Sequence, residues 1–410
     1  MILLRRHAPA LLVLAGLAAV AALVALDEAA YLRLRQALGL KPFVPFLDLH
    51  AVMSAIECHH RGIDVYATNP CDALGRPHIY SPLWLRLPAL FGEPALLRPL
   101  GLALALAFTL TLLWLPRAPR GRGELAMLLA VASPVTLFAL ERANVDLLIF
   151  ALVVPGAMLL ARGPGARLAG HALFLLAGAL KFYPLVLLAT LVRERPGHAF
   201  LLLLVAATTL RAFTMATDGE VQRAIENIQV LALFWGSFAA HNLPRGLLQL
   251  TGSPLAAFLA LAAGLLVGAL AAWRSWRAPG LAALPAEQRM LLLVSGLLVS
   301  GCFLAGENID YRAILVLPAL PALLAVPATR HAGWLAAALM WEPLARRIVV
   351  RLAPAEADQP SLAFLVLWGV HNLAWWWLAA VLLTAVALLL RDAPGLALLR
   401  PWATGRRDRR

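Results

Sequence analysis

The stretch SLAFLVLWGVHNLAWWWLAAVLLTAVALLL, residues Ser361–Leu390, contains no Asp, Glu, Lys or Arg. As a helix it is long enough to cross the roughly 30 Å of hydrocarbon in a bilayer. Similar apolar runs recur along the whole chain, which is 62% hydrophobic and only 14% charged. Soluble domains contain about 45–50% apolar and about 25% charged residues. The sequence therefore predicts an all-α polytopic membrane protein, because these runs lack the short alternating segments of a transmembrane β-barrel.

The net charge of +13 lies mainly in arginine clusters between the apolar runs. Short basic loops are typical of the cytoplasmic side of a membrane protein. We therefore expect this charge to set orientation, and we predict no nucleic-acid partner. The clusters are Pro116–Gly123, Arg162–Arg167, Trp273–Gly280 and the tail 391–410.

These signals together predict about twelve crossings in one integral membrane domain, residues 1–410, with both termini cytoplasmic. The first run, Ala8–Leu26, exceeds the core of about 7–15 residues in a cleaved signal peptide, so we interpret it as a membrane anchor. Two long loops, 27–79 and 214–252, then lie outside the cytoplasm. The basic tail 391–410 lies inside. The expected location is the bacterial inner (plasma) membrane, surrounded by membrane lipids.

The acidic residues are unevenly distributed in this topology. All but five of the 22 fall on the extracytoplasmic side. Acids contribute little to orientation, so insertion does not force this skew. We expect the outer face to carry the chemistry.

The run Leu168–Val192 contains the sequence Lys181-Phe182-Tyr183-Pro184 at its centre. Proline inside a helix costs about 3 kcal/mol, and a lysine at mid-bilayer depth is also unfavourable. The pattern predicts a hairpin of two short helices with Lys181 near its outer mouth. A backbone broken at this depth must be covered by protein or face a cavity.

The most polar part of the chain is Phe46–Pro88, FLDLHAVMSAIECHHRGIDVYATNPCDALGRPHIYSPLWLRLP. Within it, Leu47–His60 is predicted to form a short helix at the membrane interface. Its four histidines suggest a metal site, but adjacent histidines do not share a helix face and no HExxH or CxxC motif is present. We therefore predict no metal. An extracytoplasmic loop permits a disulfide between Cys58 and Cys71, with two free thiols as the alternative.

Six features of the chain occur in an order that resembles the GT-C superfamily of membrane glycosyltransferases. The closest resemblance is to family 87, which uses polyprenyl-phosphate mannose. The features are Asp48 in FLDLH, the segment Gly62–Tyr66, Tyr80-Ser81-Pro82 where the family often has Tyr-Pro-Pro, Arg142-Ala143-Asn144, the break Lys181–Pro184, and His241–Gly246.

The resemblance implies a GT-C-like fold whose large first outer loop carries the active site. It implies transfer of a sugar such as mannose from a polyprenyl-phosphate donor to a lipid or glycan acceptor, with inversion and without a cofactor. Asp48 would be the general base, because a carboxylate near the interface can accept the proton of the acceptor hydroxyl. The alternative for Asp48 is a solvated loop acid or a helix cap.

Cations near the outer ends of spans are candidates for binding the donor phosphate, since guanidinium and ammonium groups suit phosphate oxygens. The alternative is that they extend toward lipid head groups. The candidates are Lys181, Arg142, Arg245 and Arg312. The candidate substrate-binding residues are Asp64, Tyr66, Tyr80, Asn144, His241 and Asn242. For Asn144 a helix cap is the alternative.

Two other functions remain open at this point. One is a non-enzymatic transporter or flippase of lipid-linked intermediates, and the other is a polysaccharide polymerase or ligase. A transporter is expected to carry charged residues deep inside several spans, whereas these charges cluster at span ends. No GxSxG, Walker or Rossmann GxGxxG pattern supports an acyl hydrolase, an ATPase or a nucleotide-sugar enzyme.

Overall fold

The structure is a computed structural model that describes residues 11–13, 15, 16, 19, 28–37, 45–228, 233, 234, 236–277, 280–354 and 360–399. In these ranges the chain is all-α, with short 3₁₀ segments and one two-residue strand pair. The predicted first span, Ala8–Leu26, and the last part of the tail lie largely outside the described residues.

The α-helices are named here in chain order. They are α1 Glu28–Ala37, α2 Leu47–His60, α3 Leu97–Leu112, α4 Arg122–Val131, α5 Pro134–Arg142, α6 Val145–Leu160, α7 Pro164–Leu180, α8 Pro196–Ala216, α9 Glu220–Glu226, α10 Asn242–Thr251, α11 Pro254–Trp276, α12 Ala286–Ala305, α13 Leu320–Ala325, α14 Arg330–Leu339, α15 Glu342–Leu352 and α16 Leu362–Leu390.

Short 3₁₀ segments connect several of these helices. They are Pro82–Arg86, Ala89–Gly92, Pro94–Leu96, Tyr183–Arg193, Asp310–Ala319 and Pro394–Leu399. Strands β1, Ser237–Phe238, and β2, Asn308–Ile309, pair antiparallel and join the segment before α10 to the segment after α12.

Six helical stretches within the described residues are long and apolar enough to cross a membrane. They are Pro94–Leu112, Arg122–Arg142, Pro196–Ala216, Pro254–Trp276, Ala286–Ala305 and Leu362–Leu390. Helix α8 has only Ala206 buried, and its Phe200 side chain is 70% exposed. A large apolar surface of this kind is expected to face lipid. A membrane protein is therefore supported, while the twelve crossings and their orientation remain predictions.

The core is centred on α12 and α16. Helix α12 is buried along most of its length, and Ser300 Oγ donates to the carbonyl of Ala379 on α16 at 3.2 Å. Helix α16 also packs against α11 at Gly264. A Cβ added there would lie 2.6 Å from Trp376 Nε1, so only glycine permits this close approach.

Some predicted spans are divided in the structure. The apolar run Glu124–Leu140, which its hydropathy predicts to be one span, falls on α4 and α5, because Ser133 caps α5 by accepting from the Thr136 amide at 3.2 Å and Pro134 occupies its first turn. Pro has no N–H for the preceding helix, and a cap residue starts a new one. The apolar run Ile314–Val326, which is also predicted to be one span, begins in a 3₁₀ segment and continues as α13.

The predicted break in Leu168–Val192 is present. Helix α7 ends at Leu180, Lys181 has φ −154° and ψ 72°, and a 3₁₀ helix begins at Tyr183. This segment packs back against α7. Pro184 prevents the α-helix from continuing through the break. Lys181 consequently lies where two helix ends meet.

The predicted helix in the polar stretch is α2, with the bounds Leu47–His60. Its residues are mostly buried among the other elements, so it forms part of the protein core and is not confined to the periphery. Cys58 near its C-terminal end forms a disulfide with Cys71, with the two Cα atoms 5.9 Å apart. The bridge fixes the following loop against the helix.

Candidate active site

Asp48 lies in the first turn of α2, beside the C-terminal end of α5. The chain enters α2 through Phe46, which has φ 60°, and the Phe46 amide donates to the Glu141 carbonyl at 2.8 Å. A left-handed conformation at a non-glycine residue costs about 1–2 kcal/mol. The fold therefore holds the start of α2 in a specific orientation toward the turn after α5.

The Asp48 carboxylate has three polar neighbours. Asn144 Nδ2 donates to Oδ2 at 2.7 Å, and Arg142 Nη1 donates to Oδ1 at 3.3 Å. Arg76 Nη1 lies 3.7 Å from the same Oδ1. Asp48 is 7% exposed, and it lines a cavity. Burial of a carboxylate is unfavourable unless it is paired and hydrogen-bonded, and these neighbours supply that pairing.

Asn144 connects Asp48 to a second buried acid. It is the N-cap of α6, where its Oδ1 accepts from the Asp146 amide at 2.9 Å. The same Oδ1 accepts from Lys181 Nζ at 3.0 Å. The preceding residue, Ala143, ends α5 in a left-handed conformation with φ 43°. Asn144 thus caps a helix and also links the candidate base to a candidate phosphate-binding cation.

Asp146 pairs with two cations of the site, Lys181 and Arg312. Its side chain is fully buried. Lys181 Nζ and Tyr183 Oη each donate to Oδ1 at 2.8 Å, and Arg312 Nε donates to Oδ2 at 3.3 Å. The N-terminus of α6 adds a favourable dipole for this charge. Asp146 therefore holds two cations side by side at the ends of different elements.

Arg312 is oriented from its other side by Asn308 of β2. Asn308 Oδ1 accepts from Arg312 Nη1, while its Nδ2 donates to the carbonyls of Cys302 at 2.7 Å and Gly306 at 2.6 Å. The Arg312 guanidinium also lies 4.8 Å from the centre of the Tyr183 ring, a cation–π distance. The strand pair and the end of α12 therefore fix the position of this arginine.

Arg76 comes from the loop that follows α2 and pairs with Asp72. Its Nε and Nη2 donate to the two Asp72 oxygens at 2.8 and 2.9 Å, and Nη2 also donates to the Leu47 carbonyl at 3.0 Å. Burial alone would raise the pKa of Asp72, but hydrogen bonds from Arg76 and His50 hold that pKa well below its usual range. Asp72 follows Cys71 directly, so the disulfide lies at the base of this clamp.

These groups surround one cavity of about 520 Å³. Its charged lining contains Asp48, Arg76, Lys181, Glu307 and Arg312. The remaining lining is mainly aromatic and aliphatic, with residues from positions 77–80, 182, 183, 225, 228 and 302–311. A cavity of this size suits a drug-sized or monosaccharide-containing ligand.

The predicted site residues divide into three groups. Asp48, Tyr80, Lys181 and Arg312 line the cavity together. Arg142 and Asn144 contact Asp48 but are not part of the cavity lining, and the phosphate-binding role of Arg142 stays a prediction.

The other predicted site residues lie away from the cavity. Asp64 is exposed and accepts from Arg223, which also lies 5.2 Å from the Tyr66 ring centre. The hydrogen bond from Arg223 lowers the pKa of Asp64. His241 precedes α10, and Arg245 is exposed on that helix. Asn242 donates to Ser237 Oγ at 3.2 Å, and Ser237 in turn donates to Glu307 at 3.1 Å, so Asn242 lies behind the cavity wall.

Three site residues were not predicted as such from the sequence. The pairing of Arg76 with Asp72 could have been predicted, since opposite charges four residues apart can pair. In the sequence, Asp146 has the position of an acid in the first turn of a helix, and Tyr183 belongs to the predicted break Lys181–Pro184. Only the convergence of α6, α7 and the segment after α12 shows that these residues share one hydrogen-bond network.

Among the described residues, no three His, Cys, Asp or Glu side chains are arranged to hold a metal ion. His50 pairs with Asp72 at 3.4 Å, and His60 bonds to the Leu87 carbonyl at 2.8 Å. The histidines of the polar stretch therefore point to different partners.

Comparison with known proteins adds no further assignment. No protein-family model, no curated protein and no solved structure matches this chain.

Proposed function

We propose that this chain is a membrane glycosyltransferase of GT-C type, which transfers a sugar from a polyprenyl-phosphate donor to an acceptor hydroxyl. The observation that supports the proposal best is the shared cavity, which the Asp48 carboxylate lines together with the cations Arg76, Lys181 and Arg312. The order of sequence features that resembles family 87 supports the same chemistry.

Asp48 is the proposed general base. In a single displacement, the acceptor oxygen attacks the anomeric carbon and its proton passes to the Asp48 carboxylate. The hydrogen bond from Asn144 and the contacts with Arg142 and Arg76 hold the carboxylate in place before the reaction. The reaction inverts the anomeric centre because only one bond is formed and one broken at that carbon.

Lys181, Arg312 and Arg76 are the proposed phosphate-binding residues. As the bond between the anomeric carbon and the phosphate oxygen breaks, negative charge grows on the departing polyprenyl phosphate. Cations fixed in advance by Asp146 and Asp72 stabilise that charge without reorganising. Asn144 bonds to both Asp48 and Lys181, so it sets the spacing between base and leaving group.

The direct test is incubation of the purified protein in lipid nanodiscs with a panel of radiolabelled polyprenyl-phosphate sugars and a lipid extract of the source cells. Wild-type protein is expected to transfer label to an acceptor, and Asp48→Asn is expected to bind donor but lose transfer by about 10²–10⁴-fold. Asp64→Asn is the matched control, because it removes an acid of the same loop that lies outside the cavity.

The outcome also separates the other candidates. Unchanged transfer in Asp48→Asn would refute the assignment of the base. Movement of a labelled donor across the bilayer without any bond formation would support the transporter alternative instead. Formation of long products from one repeating unit would support the polymerase.

A further inference from the structure

Helix α15, Glu342–Leu352, has an apolar face that points away from the protein. Ile348 is 48% exposed and Leu352 is 81% exposed. Because these two residues are four apart, they lie on the same side of the helix. The adjacent Val349 and Val350 are half-buried and pack toward the protein. A surface helix of a soluble protein turns its apolar stripe toward the core, so the exposed side chains of α15 need another apolar environment.

Two arginines border this apolar face. Arg347 and Arg351 are also four residues apart, a spacing at which like charges on a helix repel each other. Burial and the charge of Arg351 both lower the pKa of Arg347. Glu342, the acid of this helix, pairs with Arg346 at 3.1 Å. Within the described ranges neither Arg347 nor Arg351 forms an ion pair, so α15 presents two positive charges beside its exposed aliphatic side chains.

The packing of α15 places it beside the start of a candidate membrane span. It contacts α16, and Val349 and Val350 belong to the same hydrophobic cluster as Phe364 and Trp368. Phe364 and Trp368 lie in the first two turns of α16. With 29 residues, α16 is about 43 Å long and exceeds the roughly 30 Å of hydrocarbon, so its ends reach the head-group regions. Helix α15 is therefore at the level of the lipid head groups.

We propose that α15 is an interfacial helix that binds anionic phospholipid. Ile348 and Leu352 insert among the upper parts of the acyl chains, as the apolar face of an interfacial helix does. Arg347 and Arg351 bind the phosphate and the other negatively charged oxygens of the head group, for which guanidinium forks are well suited. This binding surface is separate from the proposed transfer reaction and requires neither donor nor acceptor.

The depth of α15 is tested with the full chain in phosphatidylcholine nanodiscs that contain phosphatidylglycerol with a photoreactive diazirine. One probe carries the diazirine next to the head group, and the other carries it at the end of an acyl chain. The first should label Ile348, Leu352 and the exposed Leu362 at the start of α16. The second should label the exposed Val370, nearer the middle of α16, and not α15. Labelling of α15 by neither probe, or by the second as strongly as Val370, would overturn the interfacial position.

The role of charge is tested by measuring the affinity of the purified protein for phosphatidylglycerol by native mass spectrometry. The double variant Arg347→Gln, Arg351→Gln should bind about 30-fold more weakly, because each arginine near an anionic surface contributes a factor of about five. The double variant Arg347→Lys, Arg351→Lys keeps both charges and should recover most of the affinity. Equal affinity in wild type and the glutamine variant would overturn the anionic site.

The matched control removes the same total charge elsewhere. Arg61 and Arg223 are exposed, and each already pairs with an acid. The double variant Arg61→Gln, Arg223→Gln should therefore leave the affinity for phosphatidylglycerol unchanged. A loss as large as that of the Arg347 and Arg351 variant would show that net charge, and not α15, attracts the lipid, and would overturn the proposal.

A second copy of this chain is the other partner that could cover the apolar face. Cross-links between α15 helices of two copies, with no lipid labelling of Ile348 or Leu352, would overturn the lipid site and support a dimer. None of these measurements uses sugar transfer. Their failure would therefore leave the proposed function standing, and a failed transfer assay would leave the lipid site standing.

Discussion

Asp48 and Glu194 are both buried acids with basic neighbours, but we propose that they have different roles. Glu194 lies at the far end of the 3₁₀ segment Tyr183–Arg193 from Lys181, about 20 Å away at the usual rise of about 2 Å per residue. Arg167 contacts both of its oxygens, at 2.8 and 2.5 Å, and His171 Nε2 lies 3.1 Å from Oε1. None of these residues lines the cavity of Asp48.

Exposure does not distinguish the two acids, because the side chain of Asp48 is 9% exposed and that of Glu194 is 11%. The difference lies in how their oxygens are used. Both Glu194 oxygens are engaged by a two-pronged guanidinium, whereas Asp48 Oδ1 has only contacts of 3.3 and 3.7 Å and faces the cavity. A buried acid that is fully paired stabilises the fold, and one that is partly paired beside a cavity is available for proton transfer.

The largest expected effect on stability comes from Asp146, which resembles Glu194 in its pairing but binds two cations that line the cavity. Asp146→Asn leaves Lys181 and Arg312 buried without their shared countercharge, so unfolding free energy should fall by about 3–5 kcal/mol. Thermal unfolding in nanodiscs measures the change. Tyr183→Phe is the control, because it removes one neutral donor and should cost only about 0.5–1.5 kcal/mol. Equal losses in the two variants would contradict the role of charge.

The next effect concerns the disulfide that supports the Asp72–Arg76 clamp. Replacing both Cys58 and Cys71 by serine opens a loop with a sequence separation of 13. The free energy of unfolding should fall by about 3 kcal/mol, because the unfolded chain gains conformational entropy. Transfer should also decrease, because the clamp that places Arg76 near Asp48 loosens. A reductant should lower the Tm of wild-type protein and leave that of the double variant unchanged. A Tm of wild type that is insensitive to reductant would show that the bridge is not formed.

A smaller effect is expected at Glu194. Glu194→Gln removes the charge that Arg167 binds, so stability should fall by about 1.5–3 kcal/mol while transfer is retained. Burial raises the pKa of Glu194, but the hydrogen bonds from Arg167 and His171 outweigh it and the net pKa is lowered. Its contribution is therefore present above the unfolded pKa and lost as the pH falls through the folded pKa. The Tm difference between wild type and variant should narrow below about pH 4.

The smallest effect is expected at the exposed pair Asp64–Arg223. Asp64→Asn should leave both Tm and transfer unchanged within error, because water screens this pair and the residue lies outside the cavity. Loss of transfer in Asp64→Asn, with an unchanged Tm, would restore Asp64 to the substrate-binding role that the sequence suggests.

The sequence predicts which region contains the candidate site better than it predicts which residues line it. Charged residues at span ends are expected near one face of a membrane protein, and Asp48, Lys181 and Arg312 line one cavity. Arg245 also follows this pattern but lies on an exposed face of α10. The direction that a side chain takes around a helix depends on packing, which the spacing of charges along the chain does not give.

The sequence likewise predicts only part of the fold. Apolar runs predict where helices occur, and the break at Lys181 follows from Pro184. The division of Arg122–Arg142 into α4 and α5 was missed although Ser133-Pro134 provides a helix-start signal. In an apolar run, hydropathy is unchanged across such a break, so only the cap residue indicates it.

We propose that the carboxylate of Asp48 takes part in the reaction as general base, whereas the carboxylate of Glu194 only stabilises the fold. The most direct measurement is the transfer rate and Tm of Asp48→Asn and Glu194→Gln, determined side by side in nanodiscs. We expect Asp48→Asn to lose transfer by about 10²–10⁴-fold with the smaller change in Tm, and Glu194→Gln to keep transfer with the larger decrease in Tm. Retained transfer in Asp48→Asn, or its loss in a folded Glu194→Gln, would contradict the account.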